Sequence, residues 1–334
     1  MISPKANTIT ETPDRTADKS YSVPKQQRQR PRRLHYFKNQ LVAYGLMFPS
    51  MAVFVMFFYI PAFYLLYISF FHWGILSSAT NFVGLANFRT LLQQPLFFHS
   101  LVTSVYYTLV MIPATVLLSL GVALLLREAV TGRKRGSGIW RGAVFLPHVT
   151  PIVATSIIWV WIFNPQFGLA NFVLTHLGLP ALGWLESATW ALPAVMIDSL
   201  WHSLGLYVII FLGGLSMVPR ELIEVARLDG AKKYQIFRRI IWPLISPTTF
   251  FVVVLSTINS WQAFSQIFAM TGGPHGGAGG PAFSTTTDAV LVFQTAFVYY
   301  HFSLAAAMSL VLFCIIMVLT LIQKWISDRV VFYR

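Results

Sequence analysis

Six long apolar stretches restrict what this chain can fold into. Each contains about the 20 apolar residues that a helix needs to cross the hydrocarbon core of a bilayer. The chain is 56% hydrophobic and only 10% charged, whereas soluble domains are about 25% charged. The sequence therefore predicts an all-α membrane protein with six transmembrane helices. The predicted spans are Leu41–Phe71, Leu101–Leu126, Gly142–Phe163, Trp190–Leu215, Thr248–Met270 and Ser303–Ile322.

The basic residues lie almost entirely on one side of these spans. Of the 24 Lys and Arg, nine precede the first span, five lie in the second connection, six in the fourth and three after the last. Arg89 is the one basic residue in an odd-numbered connection. Positive charge beside spanning segments is retained in the cytoplasm. The pattern predicts that the N-terminus, the even-numbered connections and the C-terminus face inside.

Composition also excludes several classes of function. A net charge of +13 in a soluble protein would indicate a nucleic-acid partner. Here the basic residues flank apolar spans, so topology and attraction to anionic headgroups account for them, and no nucleic acid is predicted. The single cysteine, Cys314, lies in an apolar stretch, which rules out disulfides and thiolate clusters. No phosphate-binding loop, zinc-protease motif or catalytic Ser or Cys arrangement occurs, so we predict a non-catalytic chain without a metal or cofactor of its own.

The N-terminal tail differs from the rest of the chain. Residues 1–38 are polar, with almost no large apolar side chains before Tyr36. Such a segment cannot bury a core, so we predict a disordered basic cytoplasmic tail, followed by a membrane domain at residues 39–334. Among the external connections, Thr271–Ser284 is rich in glycine and predicted as a loop, and Ala289–Tyr300 as a helix at the interface. Phe82–Phe88 and Gln166–Leu185 are predicted as small loops or interfacial helices.

The fourth connection, residues 219–243, has the pattern of a helix, a turn and a second helix. Pro219 suits a first helical position, Gly230 a left-handed stop, and Pro243 the end of the segment. Each half has about two turns, which is too short to be stable alone in water. The pair therefore needs a surface to pack on, either the chain's own membrane domain, the bilayer interface or another subunit.

This connection also resembles a known family. Glu224-Val-Ala-Arg-Leu-Asp-Gly-Ala231, followed by Phe237, Ile240 and Pro243, is similar to the EAA loop of binding-protein-dependent ABC importer permeases. Val225 and Trp242 depart from the usual residues and remain apolar. The resemblance implies that this loop is a coupling helix seated in a groove of a separate ATPase. The coupling positions implied are Glu224, Ala226, Asp229, Gly230 and Ala231.

Further segments extend the resemblance to the carbohydrate-importer branch of that family, in the expected order. They are Phe82–Phe88, Arg141–Pro147, Phe163–Asn171, Thr271–Pro274 and Phe302–Ala307. The resemblance implies a type I importer permease in the cytoplasmic membrane of a bacterium or archaeon. The implied partners are a second homologous permease, a cytoplasmic ATPase dimer that binds ATP and Mg, and an extracytoplasmic solute-binding protein.

Polar residues inside the spans are candidates for a substrate pathway. Such residues are costly in lipid and usually face the protein interior. The fourth span carries Asp198 and His202 close together, the fifth carries polar Gln266, and Trp261 offers a stacking surface for a sugar. By resemblance to maltose-type permeases, the pathway residues are His148, Ser199, His202, Ser203, Asn259 and Gln262. The alternative for each is a hydrogen bond between helices, with Asp198 paired to His202 or to the companion permease.

Three other functions remain as alternatives. A glycerol-3-phosphate importer has closely similar permeases, although a pathway for that anion is expected to carry Arg or Lys. An ion-coupled secondary transporter would need inverted repeats and coupling carboxylates. A membrane-embedded enzyme or receptor would need a catalytic constellation or a soluble domain. The sequence favours an importer permease that forms half of the pathway for a sugar or sugar derivative.

Overall fold

The computed structural model describes residues 33–74, 77–131, 137–272 and 279–331. The chain divides into two units, residues 1–59 and 60–334. In the first unit, helix α1 (Arg33–Phe54) is followed by a π-helical turn at Val55–Tyr59. Its described side chains, from residue 42 onward, are all exposed and mostly apolar, as expected for a surface in contact with lipid. Residues 1–32 of the predicted tail, residues 1–38, lie outside the described residues, and α1 begins within the last part of that tail, at Arg33.

The second unit is mainly helical. Its helices are α2 (Ile60–Ser69), α3 (Ala86–Leu92), α4 (Pro95–Thr131), α5 (Ser137–Val149), α6 (Ile152–Ile162), α7 (Leu169–His176), α8 (Ala191–Ser216), α9 (Arg220–Leu228), α10 (Lys233–Ile236), α11 (Trp242–Leu244), α12 (Ser246–Trp261), α13 (Ser265–Thr271), α14 (Asp288–Phe293) and α15 (Phe302–Val330). Two π-helical turns, Phe237–Ile241 and Gln294–Val298, follow α10 and α14.

The prediction of membrane-spanning helices is confirmed in its main lines. Four helical runs in the described residues are long and apolar enough to cross a bilayer, and two bent helix pairs bring the number to six if each pair is one span. The four runs are Val42–Ser69, Pro95–Arg127, Ala191–Ser216 and Phe302–Arg329. The bent pairs are Gly138–Val149 with Ile152–Ile162, at 94°, and Lys233–Leu244 with Ser246–Trp261, at 67°.

The third predicted span is broken, not continuous. The break between α5 and α6 falls at Thr150 and Pro151. Proline lacks an N–H and disfavours a helical conformation in the residue before it, so the chain turns at Thr150. The Thr150 hydroxyl donates to the carbonyl oxygen of Pro147 at 2.6 Å, which satisfies one backbone group near the bend.

The fifth predicted span, Thr248–Met270, is also interrupted. Helix α12 ends at Trp261 and α13 begins at Ser265, so residues 262–264 form a non-helical break. In a membrane protein such a break is tolerated where it is buried in protein or lines a cavity. Both broken spans thus point to a cavity between the helices.

The prediction of a wholly α-helical chain is wrong in one place. The first span ends at Ser69, and strands β1 (Phe71–Gly74) and β2 (Ser77–Phe82) form an antiparallel hairpin. Phe71 and Phe82 are paired across it, with ring centroids 5.3 Å apart, and such aromatic pairs stabilise adjacent strands. The backbone N–H of Trp73 donates to the Ser303 hydroxyl at 2.7 Å, which joins the hairpin to α15.

Helix α8 lies at the centre of the second unit, where it packs against α4, α5 and α12. Its Tyr207, Val208 and Phe211 are buried among apolar side chains of those neighbours. Glycine permits the closest approach, because a Cβ at Gly205 would lie 2.8 Å from the Cα of Phe145 on α5. The sequence thus combines an apolar helix with small residues at its crossings, as is usual in membranes.

Asn171 holds together the connection between α6 and α8. The side chain is 6% exposed, and its amide nitrogen donates to the carbonyl oxygens of Pro165 and Leu182 at 3.1 and 2.9 Å. Its oxygen accepts from the Leu182 N–H and the Trp184 indole N–H at 3.0 and 2.9 Å. The amide thus satisfies four groups that would otherwise be left inside the loop.

We expect Asn171→Ala to destabilise the protein by about 3 kcal/mol, because buried donors and acceptors lose their partners. The measurement is the thermal unfolding midpoint of the purified chain in detergent. Thr175→Val is the control, since the Thr175 hydroxyl donates only to carbonyl oxygens of its own helix, those of Asn171 and Phe172. Equal midpoints for the two variants would contradict this role of Asn171.

Candidate functional site

A cleft of about 850 Å³ lies among α4, α5, α8, α12 and the break that precedes α13. Residues from distant parts of the sequence meet there, and they include every side chain predicted for the substrate pathway. Those six are His148, Ser199, His202, Ser203, Asn259 and Gln262. Their grouping in one cleft is a structural finding, and their contact with a substrate remains a prediction.

The lining of the cleft mixes polar and apolar groups and contains no Asp, Glu, Lys or Arg. It is made of hydroxyls, amides, imidazoles, a few apolar groups and the rings of Tyr107, Tyr207 and Phe264. Hydroxyls and amides both donate and accept hydrogen bonds. Such a surface suits a ligand with many hydroxyl groups better than an ion.

Two histidines on different helices face each other at the cleft. The ring centroids of His148 on α5 and His202 on α8 are 5.6 Å apart. The His202 Nε2 lies 3.2 Å from the carbonyl oxygen of Thr150, an atom that can only accept. Nε2 therefore carries the proton in this contact, and His202 holds the bend between α5 and α6 at the edge of the cleft.

The orientation of Asn259 is fixed by a tyrosine. The Asn259 amide nitrogen donates to the Tyr207 hydroxyl at 3.0 Å, and Tyr207 is only 2% exposed. Asn259 itself is exposed, so its other groups are available in the cleft. Gln262, at the end of α12, is also exposed and begins the break of the fifth span.

The expectation for Trp261 is wrong, and one of the two partners considered for Asp198 is not observed. Trp261 is 4% exposed and does not line the cleft, because it lies two residues from Asn259 and thus on nearly the opposite face of α12. Phe264, in the break, supplies a ring to the cleft instead. Asp198 is fully buried behind the cleft, where its Oδ2 accepts from the Ser156 hydroxyl of α6 at 2.6 Å and does not bond to His202.

Sequence reasoning also missed part of the lining. Ser256 and Ser260, four residues apart on α12, both line the cleft, and Asn259 lies three residues after Ser256. Tyr107 and Thr115 share a face of α4, since they are eight residues apart. The helical spacing was visible in the sequence. Which face of α4 looks into the cleft was not visible, because that depends on packing against α8.

The helix-turn-helix of the fourth connection is confirmed. Helix α9 ends in a turn where Gly230 has φ of 77°. The Ala231 N–H donates to the carbonyl oxygen of Ala226 at 2.9 Å, which is the bond that closes a glycine-ended helix. Pro219 precedes the helix instead of starting it. Pro243 lies one residue before the end of the helical run Lys233–Leu244, after which the chain bends by 67° into α12.

The predicted coupling residues occupy different environments on this loop. Glu224, Asp229 and Gly230 are exposed, whereas Ala226 and Ala231 are half-buried and pack the turn. Leu228, in the last turn of α9, is 87% exposed. Leu222 and Val225, six and three residues earlier on α9, are also exposed, and a row of exposed apolar side chains of this kind is typical of a docking surface.

A groove of about 1,280 Å³ runs between this loop and the end of α4. Arg220, Glu224 and Arg227 line it from one face of α9, as their spacing of three and four residues requires. Arg127 and Lys233 add further positive charge from α4 and α10. The groove therefore combines a basic rim with one carboxylate and apolar walls.

Comparison with known proteins agrees with this geometry. Residues 119–332 match the family model of the binding-protein-dependent transport system inner membrane component. The chain belongs to this family. The matched region of this transport component runs from within α4 to beyond α15 and includes α8, the loop at residues 219–243 and the break of the fifth span.

Relatives of this transport component match it over nearly their whole length. The sn-glycerol-3-phosphate transport system permease protein UgpA of Agrobacterium fabrum is 32% identical over 88% of this chain and 97% of its own. The trehalose/maltose transport system permease protein MalF of Thermococcus litoralis is 28% identical over 86% and 93%. A crystal structure of a bacterial ABC transporter that imports the acidic polysaccharide alginate has a chain of similar fold, with a TM-score of 0.75 at 20% identity over 90% of this chain and 99% of that one.

Proposed function

We propose that this chain is the membrane subunit of an ATP-driven importer and forms half of the translocation pathway for a sugar or sugar derivative. The observation that carries this proposal is a cleft without Asp, Glu, Lys or Arg in its lining, which brings together the residues predicted for the pathway from the third, fourth and fifth spans. Its hydroxyl and amide groups match the alternating donors and acceptors of a sugar. The ring of Phe264 offers an apolar surface for a sugar face.

The proposed assembly has four kinds of component. A second homologous permease completes the pathway, a cytoplasmic ATPase dimer binds ATP and Mg and hydrolyses ATP, and an extracytoplasmic protein delivers the solute. This chain is non-catalytic. It has six spans in the cytoplasmic membrane of a bacterium or archaeon, with both termini inside, as the distribution of Lys and Arg supports.

The loop at residues 219–243 is the proposed joint with the ATPase. Glu224, Asp229 and Gly230 are exposed there, and Leu228 presents the largest apolar surface of α9. A short helix pair of this kind needs an external surface to hold its position. Closure of the ATPases around ATP would move the loop as a rigid body and tilt the spans, so that the cleft opens alternately to the two sides.

A glycerol-3-phosphate importer is the second candidate. The relative from Agrobacterium fabrum that carries this function in its name is 32% identical. Against it, the cleft is lined by no Lys or Arg among the described residues, and a phosphate is best bound by such groups. The facing imidazoles of His148 and His202 are the cationic groups that this cleft could offer to an anion.

The test is the ATPase activity of the complete importer in lipid nanodiscs, with its binding protein and a panel of neutral sugars and sn-glycerol-3-phosphate. We expect a neutral sugar to stimulate hydrolysis. Asn259→Leu should lower transport of that sugar about tenfold or more, because a hydrogen-bonding amide is replaced by a similar apolar volume. Ile258→Leu, one residue away and outside the cleft, is the control.

Stimulation by sn-glycerol-3-phosphate alone would favour the second candidate. Recovery of the chain from its host membrane without any ATPase would contradict both, because each requires that partner.

A further inference from the structure

Segment 285–288, which leads into α14, buries an unusual run of polar residues. Thr285, Thr286 and Thr287 are 0% exposed and Asp288 is 4% exposed. Buried polar groups are costly unless they are hydrogen-bonded. Four consecutive buried polar residues at the start of α14 therefore need hydrogen-bond partners. Such partners lie in α13, in the break before it and in α4.

Thr287 bonds to the break in the fifth span. Its hydroxyl donates to the carbonyl oxygen of Ala263 at 2.8 Å, and both groups are buried. Ala263 lies between the end of α12 and the start of α13, where the regular helical bonding is interrupted. The two residues beside it in sequence, Gln262 and Phe264, both line the cleft.

Thr285 bonds to the other end of the same half-helix. Its hydroxyl lies 3.1 Å from the hydroxyl of Thr271, the last residue of α13. The seven-residue helix α13 is therefore held at both ends by side chains from one external segment. Ser265 and Gln266, in the first turn of α13, line the cleft.

Asp288 anchors this arrangement to α4. The Ser100 hydroxyl donates to its Oδ1 at 2.6 Å, and the Asp288 N–H donates to the Ser104 hydroxyl at 3.0 Å. Both serines are fully buried on α4. Because α4 is a 37-residue helix packed against α8, it provides a fixed support for the segment.

We propose that Thr285, Thr287 and Asp288 form a brace that positions α13 in the cleft, with Thr287 as the positioning residue. The bond to Ala263 sets the position of Gln262 and Phe264, and the bonds of Asp288 to α4 hold segment 285–288 itself in place. The functional meaning of the brace rests on the proposed function, since it matters only if the cleft is the pathway. Its geometry is testable whatever the chain transports.

The experiment measures the reactivity of a single cysteine in membranes that carry the complete transporter. Cys314, the only cysteine of this chain, is replaced by Ser. A new cysteine is introduced by Gln266→Cys, and the rate at which N-ethylmaleimide labels it reports on the position of α13. We expect Thr287→Val to raise this rate about tenfold, because a buried bond is lost and α13 becomes free to move. Thr287→Ser retains the hydroxyl and should restore the original rate.

Thr286→Val is the matched control, since the Thr286 hydroxyl is buried without a partner in the described structure. It should leave the rate unchanged. Ser203→Cys on α8, across the cleft, tests whether the effect is local, and its labelling should not respond to Thr287→Val. An unchanged rate at position 266, or an equal rise at positions 203 and 266, would overturn the proposal.

If Thr287→Val does not accumulate in membranes, Thr285→Val replaces it, because that change removes the bond at the other end of α13. A raised rate at position 266 then supports the brace, and an unchanged rate overturns it. Because these readouts need no transported solute, failure of the sugar assay would not affect them. An intact brace in a chain that imports no sugar would refute the proposed function alone.

Discussion

We expect Gly205→Ala to lower transport by more than tenfold and to reduce the amount of folded protein in the membrane. A Cβ at this position would meet the carbonyl oxygen of Val144 and lie 2.8 Å from the Cα of Phe145. Both are backbone atoms of α5, so relief requires α5 to move away from α8. Overpacking of this kind costs about 1–3 kcal/mol, and the shift also displaces His148 on α5.

The measurements are membrane abundance, thermal midpoint in detergent, and uptake in proteoliposomes. Gly213→Ala is the matched control, because it adds the same methyl group to the same helix with no atom within 4 Å. It should be neutral or slightly stabilising, by about 0.5–1 kcal/mol, from the better helix propensity of alanine. Equal behaviour of the two variants would show that the crossing of α5 and α8 is not tight at Gly205.

The second large effect on transport is expected when Gly230, in the turn of the loop at residues 219–243, is replaced. Its φ of 77° is unfavourable for most side chains, and its N–H donates to the carbonyl oxygen of Arg227 at 3.0 Å. Gly230→Pro fixes φ near −65° and removes the donor, so the turn cannot form. We expect the ATPase to be lost on purification and uptake to fall more than tenfold, while membrane abundance stays near normal.

A graded series at this position separates the turn from other effects. No atom lies within 4 Å of a Cβ at Gly230, so backbone conformation alone decides the outcome. Gly230→Asn should retain most ATPase binding, because asparagine tolerates the left-handed conformation, and Gly230→Ala should be intermediate. Full ATPase recovery with Gly230→Pro would exclude this turn as the joint between the subunits.

Local features of the fold were predictable because they depend on neighbouring residues in the sequence. The turn at Gly230 was predictable because this glycine directly follows the helical pattern of α9. The helix predicted at Ala289–Tyr300 corresponds to α14 with its π-helical turn. The hairpin after Ser69 was missed, because β1 has only four residues and begins at the end of the predicted first span, Leu41–Phe71. Apolarity alone does not distinguish the end of a span from a strand beside it.

The candidate site was predictable as a set of residues and not as a geometry. Resemblance to a family supplied His148, His202 and Asn259, and the structure places all three at one cleft. The wrong prediction for Trp261 shows what sequence alone does not give. Residues close together on one helix can face either the cleft or the core, and Trp261 is buried in the core. The packing of α12 against α4, α15 and α8 decides which face is buried.

By itself, the sequence determined the class of the chain, the approximate positions of its apolar spans and the loop that marks its family. These follow from the cost of placing charge or unpaired backbone groups in hydrocarbon. That cost depends on the type of each residue and can therefore be read along the sequence. The tertiary structure alone decided that the third and fifth spans break where they meet the cleft, and that Thr287 reaches Ala263 from a segment 24 residues away. Such contacts depend on which helices are neighbours in space, and neither helical period nor composition specifies that.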